Sequence, residues 1–96
     1  MSGPVRAVLT MSVRPEHAEE FELAWQKVAT WARDWPACLR QTLCRAEDAY
    51  VITSDWAEEQ AFRDFERSPE QEERTADLRR LRISARMEMQ SIVGQF

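Results

Sequence analysis

The feature that most narrows the possible folds is how the apolar period switches along the chain. Over residues 5–13, Val5, Ala7, Leu9, Met11 and Val13 alternate with Arg6, Val8, Thr10 and Ser12. That spacing predicts a β-strand with one face toward a core. Arg14-Pro15 breaks it, because proline has no N–H to give a ladder and pushes its predecessor out of the helical region. From Glu16 the spacing becomes three and four, and Ala18, Phe21, Trp25, Val28 and Ala32 make one stripe of a helix that ends at Trp35-Pro36. Glu16, Glu19, Glu20 and Glu22 crowd its first two turns, where the helix dipole favours anions.

The period returns to two over residues 38–45 and 50–56, joined by Ala46-Glu47-Asp48-Ala49, which predicts an antiparallel hairpin. Asp55 or Ser54 is placed to cap a helix carrying Ala57, Ala61, Phe62 and Phe65. Ser68-Pro69-Glu70 starts a second helical stretch, with Ser at the cap and Pro at the first position. Its burial candidates are Ala76, Leu78 and Leu81, so it is expected at the surface. Ile83, Ala85, Met87 and Met89 then alternate with Ser84, Arg86, Glu88 and Gln90 as a last strand.

The order is β-α-β-β-α-β, the α+β ferredoxin-like arrangement, in which a four-stranded antiparallel sheet carries its helices on one face. With no internal linker or repeat, residues 1–96 read as one domain. The uncovered face would hold Arg6, Val8, Thr10 and Ser12 from the first strand and Arg86, Glu88, Gln90 and Ile92 from the last. A face so mixed suits a second copy packed against it, so a two-fold homodimer is expected.

Composition excludes several classes. Thirteen basic against seventeen acidic residues give a net charge of −4, against a broadly basic nucleic-acid surface. No run approaches the ~20 apolar residues that span a bilayer, and MSGPVRAVLTMSV does not read as a secretory signal. A cytoplasmic location is expected, with no membrane or nucleic-acid partner. Cys38 and Cys44 fall on one predicted strand, roughly 20 Å apart and beyond disulfide reach. They read as free thiols, and their spacing fits no metal pattern.

The segments YVITSDW, AEEQAFRDFERSPEQEERT and FELAWQKVATWARDWPACLRQTL resemble the antibiotic biosynthesis monooxygenase family, closest to its small actinomycete aromatic-polyketide members. The likeness covers about residues 5–93. It implies a dimeric α+β barrel with an apolar pocket between sheet and helices in each subunit. It also implies oxidation of an anthrone-type polycyclic polyketide to a quinone by O2, without metal, flavin or haem. Trp56 matches the family's pocket tryptophan. Polyketide-oxidising members carry Asn where Ile52 stands and Tyr where Phe62 stands, so two polar handles on a substrate are replaced here. Haem-degrading relatives carry a histidine near Phe65-Glu66-Arg67, where this chain has none.

The candidate catalytic residues are Trp56, to stack on a planar ligand, and Tyr50, the single phenol, to steady an oxyanion. Phe21, Trp25, Ile52, Phe62, Phe65 and Arg86 are the candidate substrate contacts. For each aromatic, plain core packing is the competing role. The forked donors of Arg74, Arg79, Arg82 and Arg86 suit an enolate or a carboxylate, and an arginine of the last helix or strand is the alternative to Tyr50 at the oxyanion; their competing role is a surface ion pair. Asp55 is the best-placed carboxylate, with a helix cap as its competing role. His17, the only histidine, sits in an acidic first turn and reads as exposed. No residue stands out as a general base. A non-oxygenating polyketide-binding accessory protein, or a cyclase of the same fold, is the alternative function.

Overall fold

The computed structural model describes residues 3–96. It has β1 (Val5–Val13), a 3-10 turn (Pro15–His17), α1 (Ala18–Ala32), β2 (Cys38–Arg45), β3 (Tyr50–Trp56), α2 (Glu59–Glu66), α3 (Gln71–Arg74), α4 (Ala76–Leu81) and β4 (Arg82–Ser91). The strands form one antiparallel sheet in the order β2-β3-β1-β4, the ferredoxin-like topology. Register follows the alternation: Leu9 faces Ile52 on one side and Met87 on the other, so the three side chains share one face.

That face is divided between two apolar clusters. At one end Val5, Ala7 and Trp56 pack with Ala32, Phe62 and Phe65 from the helices. At the other, Met11 and Tyr50 pack with Phe21, Ala24, Leu78 and Leu81. Leu9 touches both. Phe21 and Trp56 are the largest side chains wholly removed from water. Burying a ring system of that size is worth roughly 5 kcal/mol in transfer free energy.

Four local expectations are corrected. α2 begins at Glu59, too far along for Ser54 or Asp55 to cap it. Asp55 alternates onto the outer sheet face and is bound by Arg6, while the Ser54 hydroxyl accepts the Trp56 indole N–H at 2.9 Å. Ser68 does not cap a helix by its side chain: the stretch after Pro69 turns first and divides into α3 and α4 at Thr75. Leu78 and Leu81 are buried as expected, but Ala76 is exposed. His17 closes the 3-10 turn and is half-buried rather than open.

Because β4 is an edge strand, much of its helix-side face has nothing over it. Ile83 is 62% and Met87 40% exposed. Both cysteines are free, with Cys38 half-buried and Cys44 exposed. No helix among the described residues is long and apolar enough to cross a membrane.

Candidate functional site

A cavity of about 280 Å³ opens where the two clusters fail to meet. Trp56, Phe62 and Phe65 come to its wall from one cluster, Met11 and Leu78 from the other, with Leu9, Ile52, Trp25 and Val28 between. The ring geometry fixes the aromatic side. Trp56 meets Phe65 at 5.0 Å and Phe62 edge-on at 5.7 Å, within the range where aromatic pairs attract. Trp31 and Trp35 back Phe65 from behind at 5.0 and 5.4 Å. They hold that wall in place without reaching the cavity themselves. Met87, on the wall yet partly exposed, stands at the mouth.

The other wall is polar and comes from α3, α4 and the start of β4. Gln71, Thr75, Arg79 and Arg82 lie on it, with Glu66 from the end of α2. Thr75 Oγ1 donates to the Gln71 carbonyl at 2.8 Å and accepts from Arg79 Nη1. Arg79 Nη2 donates to the Glu72 carbonyl at 2.8 Å. Neither Arg79 nor Arg82 forms an ion pair with a carboxylate of the described residues, in contrast to Arg6, Arg63, Arg74 and Arg80. Among the described residues, then, Arg79 and Arg82 stand on the cavity wall without an ion-pair partner. Glu66 is the one carboxylate on the wall, and Arg63 reaches it at 3.0 Å. On the sheet side Gln41 Nε2 donates to the Ala29 carbonyl at 2.9 Å and closes the gap between β2 and α1.

Of the residues nominated from sequence, Trp56, Trp25, Ile52, Phe62 and Phe65 converge on this cavity. Tyr50, Phe21 and Arg86 do not. Tyr50 and Phe21 stack at 4.8 Å inside the second cluster, and the Tyr50 hydroxyl donates to Glu22 Oε2 at 2.5 Å. Burial first, then the Glu22 carboxylate, pushes the phenol above its ordinary pKa. A phenol so held is a poor support for a ligand anion. Arg86 pairs in register with Thr10, whose side chain belongs to the outer face, so it stands on the far side of the sheet. Arg79 and Arg82 are among the arginines the sequence offers as anchors for an enolate or carboxylate, whereas Glu66, Gln71 and Thr75 are not singled out by it. Their common signal, polar side chains recurring on one edge of a weakly apolar helical stretch, reads as a solvated face until the helices are placed. No cluster of His, Cys, Asp and Glu able to hold a metal occurs among the described residues.

The fold recurs among solved structures. SnoaB from Streptomyces nogalater, described as a cofactor-independent oxygenase, superposes with a TM-score of 0.86 at 24% identity, covering 98% of this chain and 97% of its own. A Caulobacter crescentus CB15 protein superposes at 0.87 with 21% identity, covering 97% and 92%. A conserved protein from Methanosarcina mazei Go1 does so at 0.83 with 15% identity, covering 92% and 91%. Among curated proteins no sequence gives a significant match. The model of the antibiotic biosynthesis monooxygenase family matches residues 4–75. With three-quarters of its length matched and the fold in agreement, the chain belongs to the antibiotic biosynthesis monooxygenase family.

Proposed function

We propose that this chain is a cofactor-independent monooxygenase that oxidises an anthrone-type polycyclic aromatic polyketide to the quinone with O2, in antibiotic or pigment biosynthesis. The observation that carries the reading is the cavity itself, with rings on one wall and two unneutralised arginines on the other. Family membership and the likeness to SnoaB, itself described as a cofactor-independent oxygenase, support it.

The chemistry suits such a wall. An anthrone methylene loses a proton to give an anion delocalised over three rings and the oxygen. That anion passes an electron to O2 without a cofactor, and the two radicals combine at the former methylene carbon. The peroxide then loses water to leave a carbonyl. One oxygen atom enters the quinone and the other leaves as water, so anthrone and O2 become quinone and H2O. Trp56, Phe62 and Phe65 hold the ring plane, and Arg79 and Arg82 stabilise the anionic oxygen as charge develops. Glu66 receives the proton and returns it to the peroxide before water is lost. Ile52 and Phe62 keep that part of the wall dry, so binding there rests on shape and stacking rather than on polar handles.

Two copies are expected to pack through the outer sheet faces, where Val8, Thr10, Val51 and Thr53 are only half-buried and no helix lies over them. The test is to mix purified protein with anthrone in air, without added cofactor, and follow quinone absorbance against a protein-free control. Acceleration that disappears under argon supports the oxygenase. Tight binding without turnover favours the accessory-protein alternative, and ring closure of a polyketide chain under argon favours the cyclase.

A further inference from the structure

We infer that Gln71 sets the specificity of this cavity, its side-chain oxygen accepting a hydrogen bond from a hydroxyl on the bound ring system. The inference rests on the reading of the cavity as an aromatic ligand site and adds the substitution pattern of the ligand. Gln71 lies on the cavity wall, yet its Oε1 is buried without a hydrogen-bond donor among the described residues. Buried acceptors are ordinarily paired, and here two donors of the same wall, Thr75 and Arg79, are engaged elsewhere. Thr75 Oγ1 is given to the Gln71 backbone carbonyl, and Arg79 to Thr75 and the Glu72 carbonyl.

Oε1 is covered in the free protein, and the soft terminal torsion of glutamine lets the carboxamide turn it toward a bound ligand. What it then seeks is a donor. A phenolic O–H supplies one. Along the same wall the arginines have the opposite preference and take the oxyanion. The two together give a flat, nearly symmetrical ligand one orientation: anionic oxygen toward Arg79 and Arg82, hydroxyl toward Gln71. Ser68 Oγ is the other buried atom without a partner, but Ser68 is not part of the cavity wall. It serves as an internal control.

The experiment compares anthrone with β-hydroxyanthrones, whose hydroxyls are not tied internally to the ring carbonyl. Binding is read by quenching of tryptophan fluorescence under argon. Wild-type protein is expected to bind a hydroxylated compound roughly 3–30-fold more tightly than anthrone. Gln71→Leu is expected to erase that preference, and Ser68→Ala, away from the cavity wall, to preserve it. Equal affinity of wild type for all the compounds, or a preference that survives in Gln71→Leu, overturns the assignment and leaves the aromatic site standing. Failure of every anthrone to bind wild type overturns both. Gln71→Met, closer in shape to glutamine and equally without an acceptor amide, gives the same reading should Gln71→Leu fail to fold.

Discussion

Arg6 grips Asp55 with both arms across neighbouring strands: Nε meets Oδ1 at 2.7 Å and Nη2 meets Oδ2 at 3.0 Å. The carboxylate is only 3% exposed although it lies on the sheet face that carries no helix. Gln95 adds a third, longer contact from the segment after β4, at 3.4 Å. The pair binds β1 to β3 on the outer face just behind Trp56, which follows Asp55 in the chain and points to the inner face.

The guanidinium hydrogen bonds hold the Asp55 carboxyl below its ordinary pKa, outweighing the opposing effect of burial. Asp55 thus stabilises the fold above the unfolded-state pKa near 4, and that contribution is lost as pH falls through the lower, folded-state value. Asp55→Asn should lower Tm by roughly 5–10 °C at neutral pH. The difference from wild type should shrink in acid scans below about pH 4. A Tm gap unchanged down to pH 2 contradicts the ion pair's role.

Tyr50 titrates alone, since the chain has no other tyrosine. Its raised pKa means the folded state resists ionisation, so stability should fall as pH rises above about 10, where the unfolded phenol ionises first. Ultraviolet titration should place the midpoint above 10, unmoved by a bound anthrone. Tyr50→Phe should keep turnover within about threefold of wild type. A large loss of turnover in a variant of unchanged Tm returns the phenol to the site.

Trp56 couples stability to binding. Trp56→Ala should cost about 3–5 kcal/mol through loss of burial and the cavity left behind. Trp56→Phe should fold but bind anthrone about tenfold more weakly, with both the ring area and the hydrogen bond to Ser54 lost. Thermal melts and fluorescence titration check both.

Arg82→Met removes a cation without an ion-pair partner from the wall and should leave Tm nearly unchanged. The apparent pKa of bound anthrone should rise, and kcat/KM fall about tenfold at neutral pH. Glu66→Gln should lower kcat more than it raises KM, because the amide cannot take the proton. A Glu66→Gln enzyme with full kcat would move proton transfer to solvent.

The layout of the fold was readable because apolar period and turn chemistry agree in the strands and the first helix: the strand pattern of Val5–Val13 and the helical stripe ending at Ala32 both recur in the structure. The aromatic half of the cavity was readable for a related reason, as Trp56, Phe62 and Phe65 are large apolar residues with few places to go. The errors share a cause. Phe21 and Tyr50 have the same spacing signal as the wall residues, and only packing of α1 over one end of the sheet separates core from cavity. Asp55 reads as a cap until strand register delivers it to Arg6. The polar wall depends on where α3 and α4 bend at Thr75, and that bend has no proline or glycine to mark it.

On the proposed reading, O2 meets the aromatic anion in the cavity bounded by Trp56 and Arg82. Val28 lies on its wall, and Val28→Trp should fill the space with little change in the outer sheet. The decisive measurement is O2 uptake with anthrone in chelator-treated protein, comparing wild type with Val28→Trp. One O2 consumed per quinone formed, at a rate well above the protein-free solution for wild type and near it for the folded variant, is the expected result. Equal rates for the two proteins, or no acceleration by wild type, would contradict the account.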